Sequence, residues 1–89
     1  MKRTSVVIPW TEGLYLRQAA ELEQTGQKFR SVIVLKCGGR MANVRSILSV
    51  IALCATMGTA LDVEATGEDE QEATQAIEQI FVSSERVGG

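Results

Sequence analysis

The 89-residue chain contains no histidine. That removes the commonest general base, the commonest metal ligand and the side chain that titrates near neutral pH unaided. Ser–His and Cys–His nucleophile pairs are excluded with it. Cysteine is scarce as well. Cys37 and Cys54 are the whole complement, their spacing matches no zinc motif, and they read as two small buried or half-buried thiols. No metal and no cofactor is expected. The chain also lacks a run of about 18 apolar residues, so no membrane-crossing helix is expected. The apolar stretch in MKRTSVVIPW is too short for a signal-peptide core, and the expected location is the cytoplasm. A basic excess is missing too. Nine Lys and Arg against eleven Asp and Glu leave a formal net charge of −2, which argues against direct nucleic-acid binding. No catalytic constellation emerges, and the chain does not read as an enzyme.

What is present is an ordinary globular composition, 45% apolar and 22% charged, in a length suited to one domain over 1–89. Residues 2–8 read as a strand with Val6 and Ile8 on one face, stopped or held at an edge by Pro9. Residues 16–27 read as a helix with Leu16, Ala19 and Ala20 inward, Glu21, Glu23 and Gln24 outward, and Gly26 marking its end. SVIVLKC, 31–37, is a strand, Gly38-Gly39 a two-residue hairpin signal, and 40–44 the return strand. Both faces of VIVL are apolar. Either the outer face meets something, or Val32 and Val34 serve strand propensity alone.

Ser46 stands before ILSVIAL, where its default role is to cap a short helix. Ile47, Leu48, Val50 and Ile51 make that helix apolar almost all round, part core and part exposed patch. LDVEAT, 61–66, alternates without a break. Beyond Gly67, EDEQEATQAIEQIF places Ala73, Ala76, Ile77, Ile80 and Phe81 on one helical stripe. Asp69 with Glu72 fits a capping box, so the acidic cluster is accounted for by helix initiation rather than catalysis. The SERVGG tail has small residues suited to fraying. The order β-α-β-β-α-β-α, with clean alternation in the fourth strand, implies an α+β open-faced sandwich: a sheet wet on one face and covered by helices on the other.

Three segments carry a family resemblance. Gly13-Leu14-Tyr15-Leu16-Arg17-Gln18-Ala19-Ala20 resembles the G-L-H-x-R-P-A-A segment of HPr, the phosphocarrier of the bacterial sugar phosphotransferase system. Asn43-Val44-Arg45-Ser46-Ile47-Leu48 resembles that family's regulatory N-x-K-S-I-M segment. Gly67 to Ala73 resembles its G-E-D-E-Q-x-A helix start. The three fall at the family's spacing without gaps and span nearly the whole chain. The resemblance implies a four-stranded antiparallel sheet covered on one face by three helices. It also implies a lost function, because Tyr15 stands where the family's histidine accepts phosphate from enzyme I, and Gln18 replaces its proline. A phenol without an activating base is a weak nucleophile at neutral pH, and a phosphotyrosine is a stable ester ill suited to relay.

The retained segment implies a regulatory role. In low-GC Gram-positive bacteria, HPr and a histidine-lacking relative are phosphorylated on this serine by a bifunctional HPr kinase/phosphorylase, and the product binds a LacI-type repressor. The corresponding surface here is Ser46 with Arg17, Arg45, Ile47, Leu48 and Ile51. Three readings stand: a regulatory module signalling through Ser46 to a transcription regulator or enzyme; an unphosphorylated module binding enzyme I or another carrier-recognising protein, with Ser46 only a helix cap; and, last in rank, a phosphocarrier using Tyr15.

Overall fold

A computed structural model describes residues 1–87, with side chains through Val82. Seven elements follow in order: β1 (Lys2–Val7), α1 (Leu16–Gly26), β2 (Val32–Cys37), β3 (Arg40–Asn43), α2 (Ile47–Ala52), β4 (Ala60–Thr66) and α3 (Glu70–Val87). The order and class match the sequence reading. Boundaries move by a residue or so, except that α3 continues to Val87 instead of ending at Phe81. Of the tail expected to fray, Gly88 and Gly89 lie outside the described residues.

The β2–β3 connection forms because Gly38 and Gly39 both hold positive φ, 55° and 83°, as a two-residue hairpin matched to strand twist requires. The four strands pair antiparallel in the order β1-β4-β2-β3. The last strand made thus lies inside the sheet, between the first and second. Its register sets Val63 opposite Thr4 on one side and Leu35 on the other. One face of the sheet carries Val6, Ile33, Leu35, Ala42, Leu61, Val63 and Ala65, all buried with Ala19, Leu22, Val50, Ile77 and Phe81 from the helices. The result is the α+β open-faced sandwich, three helices against one face of a four-stranded antiparallel sheet. Trp10, in the connection after β1, is buried against Phe81 of α3 with ring centroids 5.0 Å apart.

The opposite face is wet, with one buried exception. Glu64 is only 8% exposed and lies between Arg3 of β1 at 3.0 Å and Lys36 of β2 at 3.2 Å. Its burial as a flanked ion explains why the alternation of β4 reads cleanly in sequence while the strand is buried on both faces there. Val32 on this face is exposed and Val34 half-buried.

Three local expectations, for Cys54, Leu16 and Asp69, are corrected. Cys54, read as a buried or half-buried thiol, is exposed in the connection after α2 with a positive φ of 53°, while Cys37 is half-buried as expected. Gly26 is the last residue of α1, as expected, although the chain does not turn left-handed there and Gln27 stays right-handed. It is needed for space, since a Cβ there would stand 2.7 Å from Cγ2 of buried Val44. Leu16, expected inward, is 56% exposed, and the buried stripe of α1 is Gln18, Ala19, Leu22 and Gly26. Asp69 does not cap α3 with its side chain. Its carboxylate accepts from Arg30 N (2.9 Å), Ser31 N (3.0 Å) and Ser31 Oγ (2.5 Å), pinning the start of α3 to the entrance of β2. The Ser31 hydroxyl first, and the Arg30 amide next, hold that carboxyl below its ordinary range. The reciprocal capping contact is made by Glu70, whose Oε1 accepts from Gly67 N at 3.1 Å; that bond heads the causes lowering the Glu70 carboxyl.

Candidate functional site

The start of α1 is fixed by two backbone bonds. Leu14 N donates to Ala55 O at 2.9 Å and Ala19 N to Tyr15 O at 2.8 Å. They set Tyr15 as the N-cap residue in an extended conformation, with no side-chain capping bond. Its phenol is therefore turned outward, 60% exposed. Arg17 is also exposed and reaches Glu12 Oε2 at 3.4 Å. The same oxygen accepts from Gln18 Nε2 at 2.7 Å. Gln18 itself is 2% exposed, and its Oε1 is buried without a partner among the described residues. The Glu12 carboxyl is held below its ordinary range, first by its own backbone amide, then by Gln18, with Arg17 contributing less. Glu12 was not among the candidate residues in sequence; its only signal there was a carboxylate five positions before Arg17.

Ser46 is the N-cap of α2. Its Oγ accepts from Ser49 N at 3.4 Å and donates to Ser49 Oγ at 2.9 Å, and its carbonyl accepts from Val50 N at 3.1 Å. The side chain remains half-buried at the surface. Arg45 behaves otherwise than a free surface charge. Its Nη2 donates to Gly26 O at 3.3 Å and to Phe29 O, so the guanidinium closes the C-terminal end of α1. Its backbone N–H donates to Asn43 Oδ1 at 2.9 Å.

These contacts define how the two short helices lie. The beginning of α1 touches the chain just after α2, and its end is bound by the residue just before α2. The helices therefore run in opposite directions. The 11 residues of α1 span about 16 Å at the helical rise, which separates Tyr15 and Arg17 at one end from Arg45 and Ser46 at the other. The six candidate partner residues do not form one tight cluster. Ile47 and Ile51 are half-buried and pack against the core. Leu48 is 80% exposed, and with Tyr15, Leu16 and Met57 it belongs to the large apolar side chains left in water. Leu16 and Met57 were not singled out in sequence as surface candidates. Among the described residues there is no group of three or more potential metal ligands and no helix long and apolar enough to cross a membrane.

The architecture defines the class: an α+β open-faced sandwich whose first helix begins at an exposed, uncapped residue. Comparison with known proteins is specific. Residues 2–83 match the family described as the PTS HPr component phosphorylation site. The phosphocarrier protein HPr of Xylella fastidiosa (strain Temecula1) is 44% identical over 69 residues, 78% of each chain. The crystal structure of HPr-C-His from Thermoanaerobacter tengcongensis superposes with a TM-score of 0.90 at 31% identity, over 97% of both chains. Crh, a catabolite repression protein of Bacillus subtilis crystallised as a dimer with a swapped domain, superposes at 0.75 with 31% identity, over 93% of this chain and 95% of that one. The chain belongs to the HPr family, whose members are phosphocarrier proteins of the phosphotransferase system and not enzymes.

Proposed function

We propose that this chain is a regulatory member of the HPr family, a single HPr-like domain over 1–89 that does not carry phosphohistidine. It acts in the cytoplasm, receiving a phosphoryl group on Ser46 from an HPr kinase/phosphorylase-type serine kinase. In that form it binds a protein partner such as a LacI-type transcription regulator. The observation that carries the reading is Tyr15 at the exposed N-cap of α1 in a chain with no histidine. The family's motif has its phosphate-accepting histidine at that point, and no other imidazole is available to replace it. Structural similarity to the catabolite repression protein Crh supports the regulatory side. So does the half-buried Ser46 hydroxyl, with exposed Leu48 two residues on. A phosphoryl group adds about −1.5 to −2 charges at pH 7 and offers oxygens that a partner arginine can clamp in bidentate fashion.

A second reading is favoured by a specific contact. Ser46 Oγ is already engaged with Ser49, which is the whole duty of a helix cap. The chain then binds enzyme I or another carrier-recognising protein unphosphorylated. A phosphocarrier role for Tyr15 ranks last, because no histidine is present to act as its base.

The deciding experiment is intact mass after incubation with ATP and an HPr-type serine kinase, with Ser46→Ala as control. One added phosphoryl group, absent from the control, is the expected result. No addition, while an ordinary HPr is phosphorylated in the same tube, removes the regulatory reading and leaves the second.

A further inference from the structure

The contact of Arg45 with α1 bears on what phosphorylation does inside the molecule, an inference that rests on the Ser46 reading above. Arg45 immediately precedes Ser46, yet its guanidinium is turned toward the far helix, donating to Gly26 O and Phe29 O. Those carbonyls lie at and just beyond the negative end of the α1 dipole, where a cation is favoured. The last turn of α1 has no basic residue of its own. A charge that complements this helix end is thus lent by the chain neighbour of the modification site.

Phosphorylation changes what surrounds that guanidinium. The γ-phosphoryl group of ATP bonds to Ser46 Oγ as its bond to ADP breaks, and the Oγ proton leaves to the kinase's base. A doubly charged anion then stands one residue from a guanidinium that donates to neutral carbonyls. Charge-assisted bonds to a phosphate are roughly twice as strong as neutral ones, and the planar fork of arginine suits them. The backbone at the pivot is already fixed, by Arg45 N on Asn43 Oδ1 at 2.9 Å and Ser46 N on Asn43 O at 3.0 Å. Only side-chain torsions of Arg45 need change. We propose that a phosphoryl group on Ser46 draws the Arg45 guanidinium off Gly26 and Phe29 and thereby loosens the last turn of α1. Through Arg45, modification at the start of α2 is read at the end of α1.

The last turn provides its own reporters. Gln27 N donates to Glu23 O (3.1 Å), Lys28 N to Thr25 O (3.1 Å) and Phe29 N to Gly26 O (3.3 Å). The test uses the full chain with phosphoserine at position 46 installed by peptide ligation, followed by amide hydrogen exchange. Expected is exchange about fivefold faster at Gln27, Lys28 and Phe29, the scale of one lost hydrogen bond, with β4 unchanged. Arg45→Ala without phosphate should reproduce the acceleration, and phosphate on that variant should add nothing. In the unsubstituted chain the Arg45 guanidinium resonances should shift on phosphorylation, a readout that needs no variant. Unchanged exchange at those three amides, or an equal acceleration by phosphate in Arg45→Ala, overturns the proposal. Because ligation bypasses the kinase, failure of the kinase to act on Ser46 and failure of this coupling are seen separately.

Discussion

Replacing Gly26 by alanine sets two effects of similar size against each other. In a helix, alanine is favoured over glycine by about 1 kcal/mol at most, chiefly through backbone entropy, and Gly26 is the last residue of α1. Here the added methyl would stand 2.7 Å from Val44 Cγ2, about 1 Å inside ordinary carbon–carbon contact. Val44 is fully buried, and a β-branched side chain has little rotamer freedom with which to retreat. Overpacking of this kind costs about 1–3 kcal/mol. The clash therefore wins, and Gly26→Ala should destabilise the chain by about 1 kcal/mol net. Urea unfolding measures this as a lower midpoint at constant slope. A double-mutant cycle isolates the cause. Val44→Ala alone should cost about 2 kcal/mol for two buried methyl groups. Its cost should be clearly less when the methyl of Gly26→Ala fills the vacated space, giving a coupling of at least about 1 kcal/mol. A Gly26→Ala variant about 1 kcal/mol more stable than the parent would refute the close-packing argument and leave helix propensity in charge.

Ser46→Ala removes the α2 cap and should lower stability by about 1 kcal/mol in the same assay, whether or not the serine is phosphorylated. Trp10→Ala empties the space beside Phe81 and should cost about 3–5 kcal/mol, read as loss of cooperative thermal unfolding near ambient temperature. Asp69 has a carboxyl lowered by Ser31 and Arg30, so its ionised form favours the fold. That contribution is complete above the unfolded-state value of about 4 and is lost as pH falls through the lower folded value. Acid titration of stability should show a shallower decline below about pH 4 in Asp69→Asn than in the parent; identical profiles would place the acid sensitivity elsewhere.

The features legible in sequence were those that depend on near neighbours. Alternation marked β4, paired glycines marked the hairpin, and Ser46 before an apolar run marked the start of α2. What escaped depends on partners far along the chain. Asp69 looks like a helix cap when read with Glu72, but its carboxylate is taken by Arg30 and Ser31, 39 and 38 positions away. Arg45 looks like a free cation beside Ser46, but is bound to the end of α1. Gly26 reads as a stop signal, but it is also required by the close approach of Val44, far along the chain and beyond the β2–β3 hairpin. At the candidate site, Leu16 reads as inward because Ala19 and Ala20 share its nominal face. The true stripe of Gln18, Ala19, Leu22 and Gly26 includes a polar residue and a glycine that a hydrophobicity count passes over. The division of the candidate residues between two ends of α1 could not be seen without the direction of α2.

The position of β4 between β1 and β2 has a consequence for how the chain is made. During synthesis β1 and the β2–β3 hairpin emerge first, but the strand that joins them comes only at residues 60–66. Until then the growing chain holds two unjoined pieces of sheet, each with an open flank, and the apolar run Val32–Leu35 among them. Such long-range pairing is slow and leaves strand edges free to meet other chains. The nascent protein is therefore most exposed to aggregation in the interval before Ala60–Thr66 leaves the ribosome. A pause in translation while Ala60–Thr66 is still inside the ribosome would lengthen that interval, and one placed after the strand has emerged would not.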